Sequence, residues 1–242
     1  MEKEYFNFFL RIDEKEYLTS FQKGHMYMKP ARSFREYTGN VPGVGDKNEG
    51  LKRIITDKKV TITITDDKGI SITPQICGPI KFYTDGYYPI LCLYHLKIKC
   101  HKMDEKYVVE LPKDYLKNLS ENRKDPGVLI LLADAFLNKI RHYINKSQLG
   151  YAWGKIEYRE IQPDESFEDA SWRAYFRKDP KWAYQNEWRL LLGNSEKAQL
   201  IDESPTSRPY EFEIGDLSGF SKIIDLSFFE KQTTFTFNMK KE

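Results

Sequence analysis

Apolar residues in this chain recur at a period of two in segment after segment, and at the three-to-four spacing of a helix in only a few. From Tyr5 to Ile12, Phe6, Phe8, Leu10 and Ile12 share one face while Tyr5, Asn7, Phe9 and Arg11 share the other. That is the alternation of a half-buried strand, with Arg11 on its more polar side. Val60, Ile62 and Ile64 alternate with threonines, Asp66-Asp67-Lys68-Gly69 turns, and Ile70 and Ile72 return, which predicts a β-hairpin over Lys59 to Thr73. Ile90 to Ile98 puts Ile90, Cys92, Tyr94 and Leu96 on one face and Leu91, Leu93, His95 and Lys97 on the other. Further strands are expected over His25 to Lys29, Gly127 to Leu132, Tyr151 to Ile161, Trp188 to Leu192, Tyr210 to Ile214, Lys222 to Leu226 and Thr233 to Phe237.

Helical signals are fewer and shorter. Asp13 followed by Glu16 reads as a capping box, opening a helix through Tyr17, Leu18 and Phe21 that stops at Gly24. Pro30 to Tyr37 reads as a helical turn with Phe34 inward, Leu111 to Asn122 as a weak helix, and Phe167 to Phe176 as a short one. The clearest stripe is Phe136, Leu137, Ile140, Tyr143 and Ile144. With 242 residues, 40% hydrophobic and 14% aromatic, the chain can bury roughly 70% of its unfolded surface without disulfides or a structural metal. No repeat or linker divides it. The expectation is a single α+β domain over residues 1–242, built on a mostly antiparallel sheet.

Thirty-eight basic against 36 acidic residues leave a net charge of +2, so no whole-molecule field draws the chain to a polyanion. The longest apolar run, Val128 to Ala133, is far short of the roughly 20 residues that cross a bilayer. An acidic N-terminus without a signal pattern and three cysteines without a C-x-x-C fit a cytoplasmic protein with reduced thiols and no membrane association.

Several constellations bear on chemistry. In Gln185-Asn186-Glu187-Trp188-Arg189, strand alternation projects Gln185, Glu187 and Arg189 together from a strand whose back, Trp188, Leu190 and Leu192, is apolar. Such a set can bind a sugar hydroxyl and offer a carboxylate to an oxocarbenium-like centre. The plainer reading is a solvent-facing Glu–Arg edge worth under about 1 kcal/mol. Gly39 to Gly50, with four glycines, Asp46 and Glu49, reads as a long flexible surface loop. Its two carboxylates either serve a site, taking a metal or a ribose hydroxyl, or are simply solvated. Ser171 to Trp188 interleaves Trp172, Tyr175, Phe176, Trp182 and Tyr184 with Arg173, Arg177, Lys178 and Lys181. It offers a local basic and aromatic patch for nucleic acid, against the simpler reading of a helical core stripe.

Other chemistries fit less well. Cys92 and His95 are three apart on a predicted strand and point to opposite faces, which argues against zinc, and no metal site is expected. Asp164 with Asp179-Pro180-Lys181 has nuclease-like spacing, but Pro180 is out of place on a core strand. Neither a phosphate-binding G-K-[ST] nor a Ser-His-Asp arrangement is apparent.

Phe8-Phe9-Leu10-Arg11, then Tyr17-Leu18-x-x-Phe21-x-x-Gly24-x-x-Tyr27, and the late Gln185-x-Glu187 together resemble ADP-ribosyltransferases, including DarT-type toxins. In place of that family's Ser-Thr-Ser strand the chain has only Thr61-x-Thr63 or Ser71-x-Thr73. The resemblance implies an ADP-ribosyltransferase-like fold with NAD as substrate and a macromolecular or nucleobase acceptor, in the setting of phage–host conflict. It implies that Glu187 stabilises the oxocarbenium-like transition state and Gln185 orients the acceptor. Arg11 holds the pyrophosphate, Tyr27 stacks on the nicotinamide, and Arg189 is a further cofactor contact. The chain is also similar to uncharacterised bacterial and phage proteins in its Gly24-His25-Met26-Tyr27-Met28, Gly45-Asp46-Lys47-Asn48-Glu49-Gly50, Leu91-Cys92-Leu93-Tyr94 and Glu-Trp-Arg blocks. A non-enzymatic alternative is an interaction protein, a phage-encoded inhibitor or sensing domain, that binds a host protein or nucleic acid.

Overall fold

A computed structural model describes residues 4–40, 44–56, 63–65, 67–72, 78–84, 88–100, 102–103, 106–110, 123–162, 171–194, 209–227 and 234–238. In chain order its strands are β1 (Glu4–Glu14), β2 (His25–Pro30), β3 (Leu51–Ile55), β4 (Ile64–Thr65), β5 (Ser71–Ile72), β6 (Ile80–Tyr83), β7 (Pro89–Cys100), β8 (Lys102–Met103) and β9 (Lys106–Glu110). They continue as β10 (Pro126–Leu132), β11 (Leu149–Lys155), β12 (Glu157–Tyr158), β13 (Arg177–Lys178), β14 (Glu187–Asn194), β15 (Tyr210–Glu213), β16 (Ser221–Asp225) and β17 (Thr234–Asn238). The α-helices are α1 (Lys15–Gln22), α2 (Ala31–Arg35) and α3 (Ala133–Ser147). The chain is α+β with a mostly antiparallel sheet, as its periodicity predicts.

The main sheet runs β11-β14-β7-β1-β10-β16, with β2 joined to β7 and β15 to β2. Residues paired across an antiparallel ladder point to the same face. The registers Leu10↔Tyr94 and Tyr94↔Glu187 therefore set these three side chains in one row. The alternate residues, Phe9, Leu93, Trp188, Leu190 and Leu192, point the other way into the principal core, with Leu129 and Leu131 of β10. There Leu18 and Phe21 of α1 and Phe136, Ile140 and Ile144 of α3 cover them, each large side chain contributing roughly 2 kcal/mol on burial. On the opposite face a smaller apolar cluster forms, Ala31, Tyr88, Ile90, Tyr175 and Leu191, Phe8, Leu10, Ile12, Val128 and Ile130 are buried along β1 and β10, and polar side chains gather at β14.

Local expectations are met unevenly. Of the α1 stripe Leu18 and Phe21 are buried while Tyr17 is exposed, and Gly24 follows the helix with φ +102°. The capping box does not form: α1 begins after Glu14 with no side-chain cap, because Asp13 is engaged by Arg11 (3.1 Å) and Arg123 (2.5 Å). Instead the Lys15 N–H donates to Asp125 O at 3.2 Å. β4 and β5 pair as the hairpin predicts, although parts of that segment, and all of Leu111 to Asn122, lie outside the described residues. Tyr151 to Ile161 is divided between β11 and β12, and a 3₁₀ helix over Ser171–Phe176 stands within the expected Phe167 to Phe176 helix.

Candidate functional site

The site arises where the sheet parts. β1 is paired with β7 down to Leu10↔Tyr94, and β2 joins the same edge of β7 at Lys29↔Ile90 and Pro30↔Pro89. Between them neither strand pairs with Cys92 on that edge. Extending the two registers would set Ile12 or Tyr27 opposite it, but β1 continues along β10 and β2 along β15. A cavity of about 760 Å³ opens at this split, lined by Arg11, Tyr27, Asp46, Cys92, Gln185 and Glu187 among others.

Its floor is an ionic network on the polar face of β14. Lys178 Nζ donates to Glu187 Oε2 at 2.6 Å and to Gln185 Oε1 at 2.8 Å. Arg189 Nε donates to Glu187 Oε1, so both oxygens of that carboxylate are engaged. The remaining guanidinium nitrogens grip Glu49 in a fork, 2.5 Å to Oε1 and 2.9 Å to Oε2, and one also donates to Tyr175 O. The Glu187 N–H donates to Tyr158 Oη at 2.7 Å. Glu49, Glu187, Arg189 and Lys178 are all buried. Burial pushes the Glu187 carboxyl upward, but the charges of Arg189 and Lys178 and the hydrogen bonds around it prevail and hold it at about 2. Cys92 adds one of those bonds, and burial keeps its own thiol protonated. The result is a fixed, ionised carboxylate in a place where water is scarce.

The expected site residues converge with amendments. Glu187 is in the cavity as anticipated, and its burial overturns the alternative of a solvent-facing edge. Gln185 lies beside it, but it ends the 3₁₀ helix Pro180–Gln185 instead of lying on the strand. Asn186, left-handed at φ 37°, turns the chain into β14 so that Gln185 and Glu187 still share Lys178. Four of the five Arg189 N–H groups are taken by Glu187, Glu49 and Tyr175 O. Its geometry is therefore that of a positioning residue, not the direct cofactor contact expected. Tyr27 is 40% exposed and lines the cavity. Arg11 lines it too, but by alternation it projects from the sheet face opposite to Leu10 and Glu187. There its guanidinium lies 5.1 Å over the Phe21 ring and pairs with Asp13.

The glycine-rich segment is exposed at Gly39 and Asn40, residues 41–43 lie outside the described residues, and the Gly45 to Gly50 turn is more buried than its composition suggests. Asp46 and Glu49 are both buried, the latter beneath Arg189. The Asp46 N–H donates to Phe34 O at 3.0 Å, and the Glu49 N–H to Asp46 O at 2.9 Å. Gly50, at φ +70°, closes the turn where a Cβ would stand 2.6 Å from Thr84 Oγ1, so a side chain is excluded on both counts.

In the Ser171 to Trp188 stretch the two readings divide residue by residue. Trp172 is exposed and Arg173 lies 5.7 Å from its ring, whereas Tyr175, Arg177 and Lys178 are buried. The sequence places Glu49 in a loop whose carboxylates could serve a site and Lys178 in a basic and aromatic patch, but joins neither of them to Glu187 or Arg189, as the structure does. Ser20, His25 and Glu211, which no motif connected, form a chain of contacts at the cavity wall, 3.2 Å from Ser20 Oγ to His25 Nδ1 and 3.0 Å from His25 Nε2 to Glu211 Oε2.

Among the described residues no group of three or more histidine, cysteine or acidic side chains is arranged to hold a metal, and no helix is long and apolar enough to cross a membrane. Comparison with protein-family models, curated proteins and solved structures finds no match to this chain.

Proposed function

We propose that the cavity binds NAD and that the chain transfers ADP-ribose to a macromolecular or nucleobase acceptor. The observation that carries this reading is the Glu187 carboxylate, bonded through both oxygens to Lys178 and Arg189 and lining a cavity whose volume lies in the range of small-molecule sites. In such transfer the bond from ribose C1′ to the nicotinamide nitrogen breaks and nicotinamide departs with the electron pair. An acceptor oxygen or nitrogen forms the new bond at C1′ and gives up its proton to solvent. Positive charge develops at C1′, and a pre-positioned carboxylate lowers that barrier without having to reorganise. Lys178 and Arg189 fix both Glu187 oxygens, so Glu187 acts electrostatically rather than as a proton acceptor. Gln185 stands beside it to orient the acceptor, Tyr27 supplies a ring face for the nicotinamide, and Arg11 and Arg123 supply cations for the pyrophosphate in exchange for Asp13. The test is incubation with labelled NAD and lysate, following label in macromolecules for wild type and Glu187→Gln. Label that depends on Glu187 supports the reading, and equal or absent label in both opposes it.

A second reading, a non-enzymatic protein that binds a host protein or nucleic acid, is favoured by one observation. Trp172 and Arg173 stand exposed together beside the buried Ala174 and Tyr175. On that reading the ionic quartet is a brace, and Trp172→Ala removes partner binding while Glu187→Gln does not.

A further inference from the structure

The ionic network leaves one carboxylate of the Gly45 to Gly50 turn unserved. Glu49 and Glu187 have both oxygens bonded to Arg189 or Lys178, and those four charges sum to zero. Asp46 stands outside this balance. It is more than nine-tenths buried and lines the same cavity. Its Oδ1 accepts the Asn48 N–H at 3.0 Å, and its Oδ2 has no hydrogen-bond partner among the described residues. Leaving a buried carboxylate oxygen unsatisfied is costly, more so than leaving a neutral acceptor. The backbone on either side is pinned to Phe34 and Glu49, so the turn is not free to swing the group outward. A metal ion does not suit the position, because the neighbouring acids spend their oxygens on cations. A neutral donor from a ligand does.

We propose that Asp46 is a ligand-binding residue whose Oδ2 accepts a hydrogen bond from a hydroxyl of the ribose held next to Glu187. The inference rests on the NAD reading for the identity of that ribose, and on Asp46 alone for the existence of the contact. It also accounts for the turn itself. Gly50 and the two backbone hydrogen bonds hold Asp46 in the cavity wall from the same short segment that delivers Glu49 to Arg189.

The experiment is calorimetric titration of wild type and Asp46→Ala with NAD, with its analogues lacking the 2′- or the 3′-hydroxyl on the nicotinamide ribose, and with ADP-ribose. NAD is expected to bind Asp46→Ala about tenfold more weakly or worse, the effect of losing a hydrogen bond to a charged acceptor. One deoxy analogue is expected to bind both proteins alike. Asp46→Asn keeps an oxygen for the Asn48 N–H, and without ligand it is expected to melt at or above the wild-type temperature, because a site residue is relieved of an unsatisfied charge. Equal NAD affinity in wild type and Asp46→Ala overturns the proposal. So does the same fold-loss in Asp46→Ala for NAD and both deoxy analogues, or a lower melting temperature for Asp46→Asn, which marks a structural carboxylate. If NAD does not bind wild type but ADP-ribose does, with the tenfold loss in Asp46→Ala, the transfer chemistry falls and the hydroxyl contact stands. If neither binds, both fall.

Discussion

Arg189 and Glu49, 140 positions apart in the chain, meet in a forked ion pair of 2.5 and 2.9 Å with each side chain 1% exposed. This contact joins the glycine-rich turn to the strand that carries Glu187. It makes the site one connected unit, and its removal tests how far the fold depends on the site.

Arg189→Ala leaves Glu49 and Glu187 buried without their shared cation, and urea unfolding is expected to show a loss of about 3–5 kcal/mol. Arg189→Lys keeps the charge but not the fork, and recovers only part of that loss. A cost below about 1 kcal/mol for Arg189→Ala would contradict the brace described here.

Acid sensitivity should come in two windows. Burial, with Lys155 and Lys97 nearby, holds His95 at about 4, below its ordinary 6.5. The unfolded chain therefore binds the proton more readily, and stability falls as the pH drops from about 6.5 toward 4. Glu187, held at about 2 against an ordinary 4.5, gives stability that is complete above 4.5 and lost as the pH falls toward 2. Unfolding free energies measured across this range should show His95→Gln flattening the upper window alone. An unchanged slope between pH 6.5 and 4 in that variant would refute the assignment.

The link between α1 and β15 is sterically tight. Gly24 has φ +102°, and a Cβ there would lie 2.3 Å from Gly215 O. Gly24→Ala is expected to cost more than about 1 kcal/mol in thermal or urea unfolding, whereas Gly219, which meets nothing within 4 Å, should accept alanine within about 0.5 kcal/mol.

Asp13 competes with any ligand phosphate for Arg11 and Arg123. If these arginines receive a pyrophosphate, Asp13→Asn should tighten ADP-ribose binding and Arg11→Ala should weaken it, with the difference shrinking at high salt. Titration at two ionic strengths decides the matter. Unchanged affinity in both variants would remove Arg11 from the site.

Much of the sheet was legible because period-two alternation is a local property. β1, β7 and β10 lie where Phe8, Tyr94 and Val128 to Leu132 put them, and the stripe of α3 is buried where its spacing places it. The same alternation brought Glu187 and Arg189 to one face. It also placed Gln185 there for an incomplete reason, since a 3₁₀ helix and a left-handed Asn186 deliver it. The parting of β1 from β2 along β7 was not legible, because it follows from two long-range registers that no local pattern encodes. The meeting of Lys178 and Glu49 with Glu187 and Arg189 was not legible for the same reason. A charged side chain is stable in the interior only with its partner, and the partners lie on other elements. Asp13 shows the reverse error, a good local cap claimed instead by Arg123, 110 positions away.

The most direct measurement is release of nicotinamide from NAD by the purified chain with an acceptor-containing lysate, wild type against Glu187→Gln, with circular dichroism confirming that both are folded. The account predicts release by wild type and a loss of at least about a hundredfold in the variant, the scale of removing a pre-positioned electrostatic group. Equal release by the two folded proteins, or none from wild type, would contradict it.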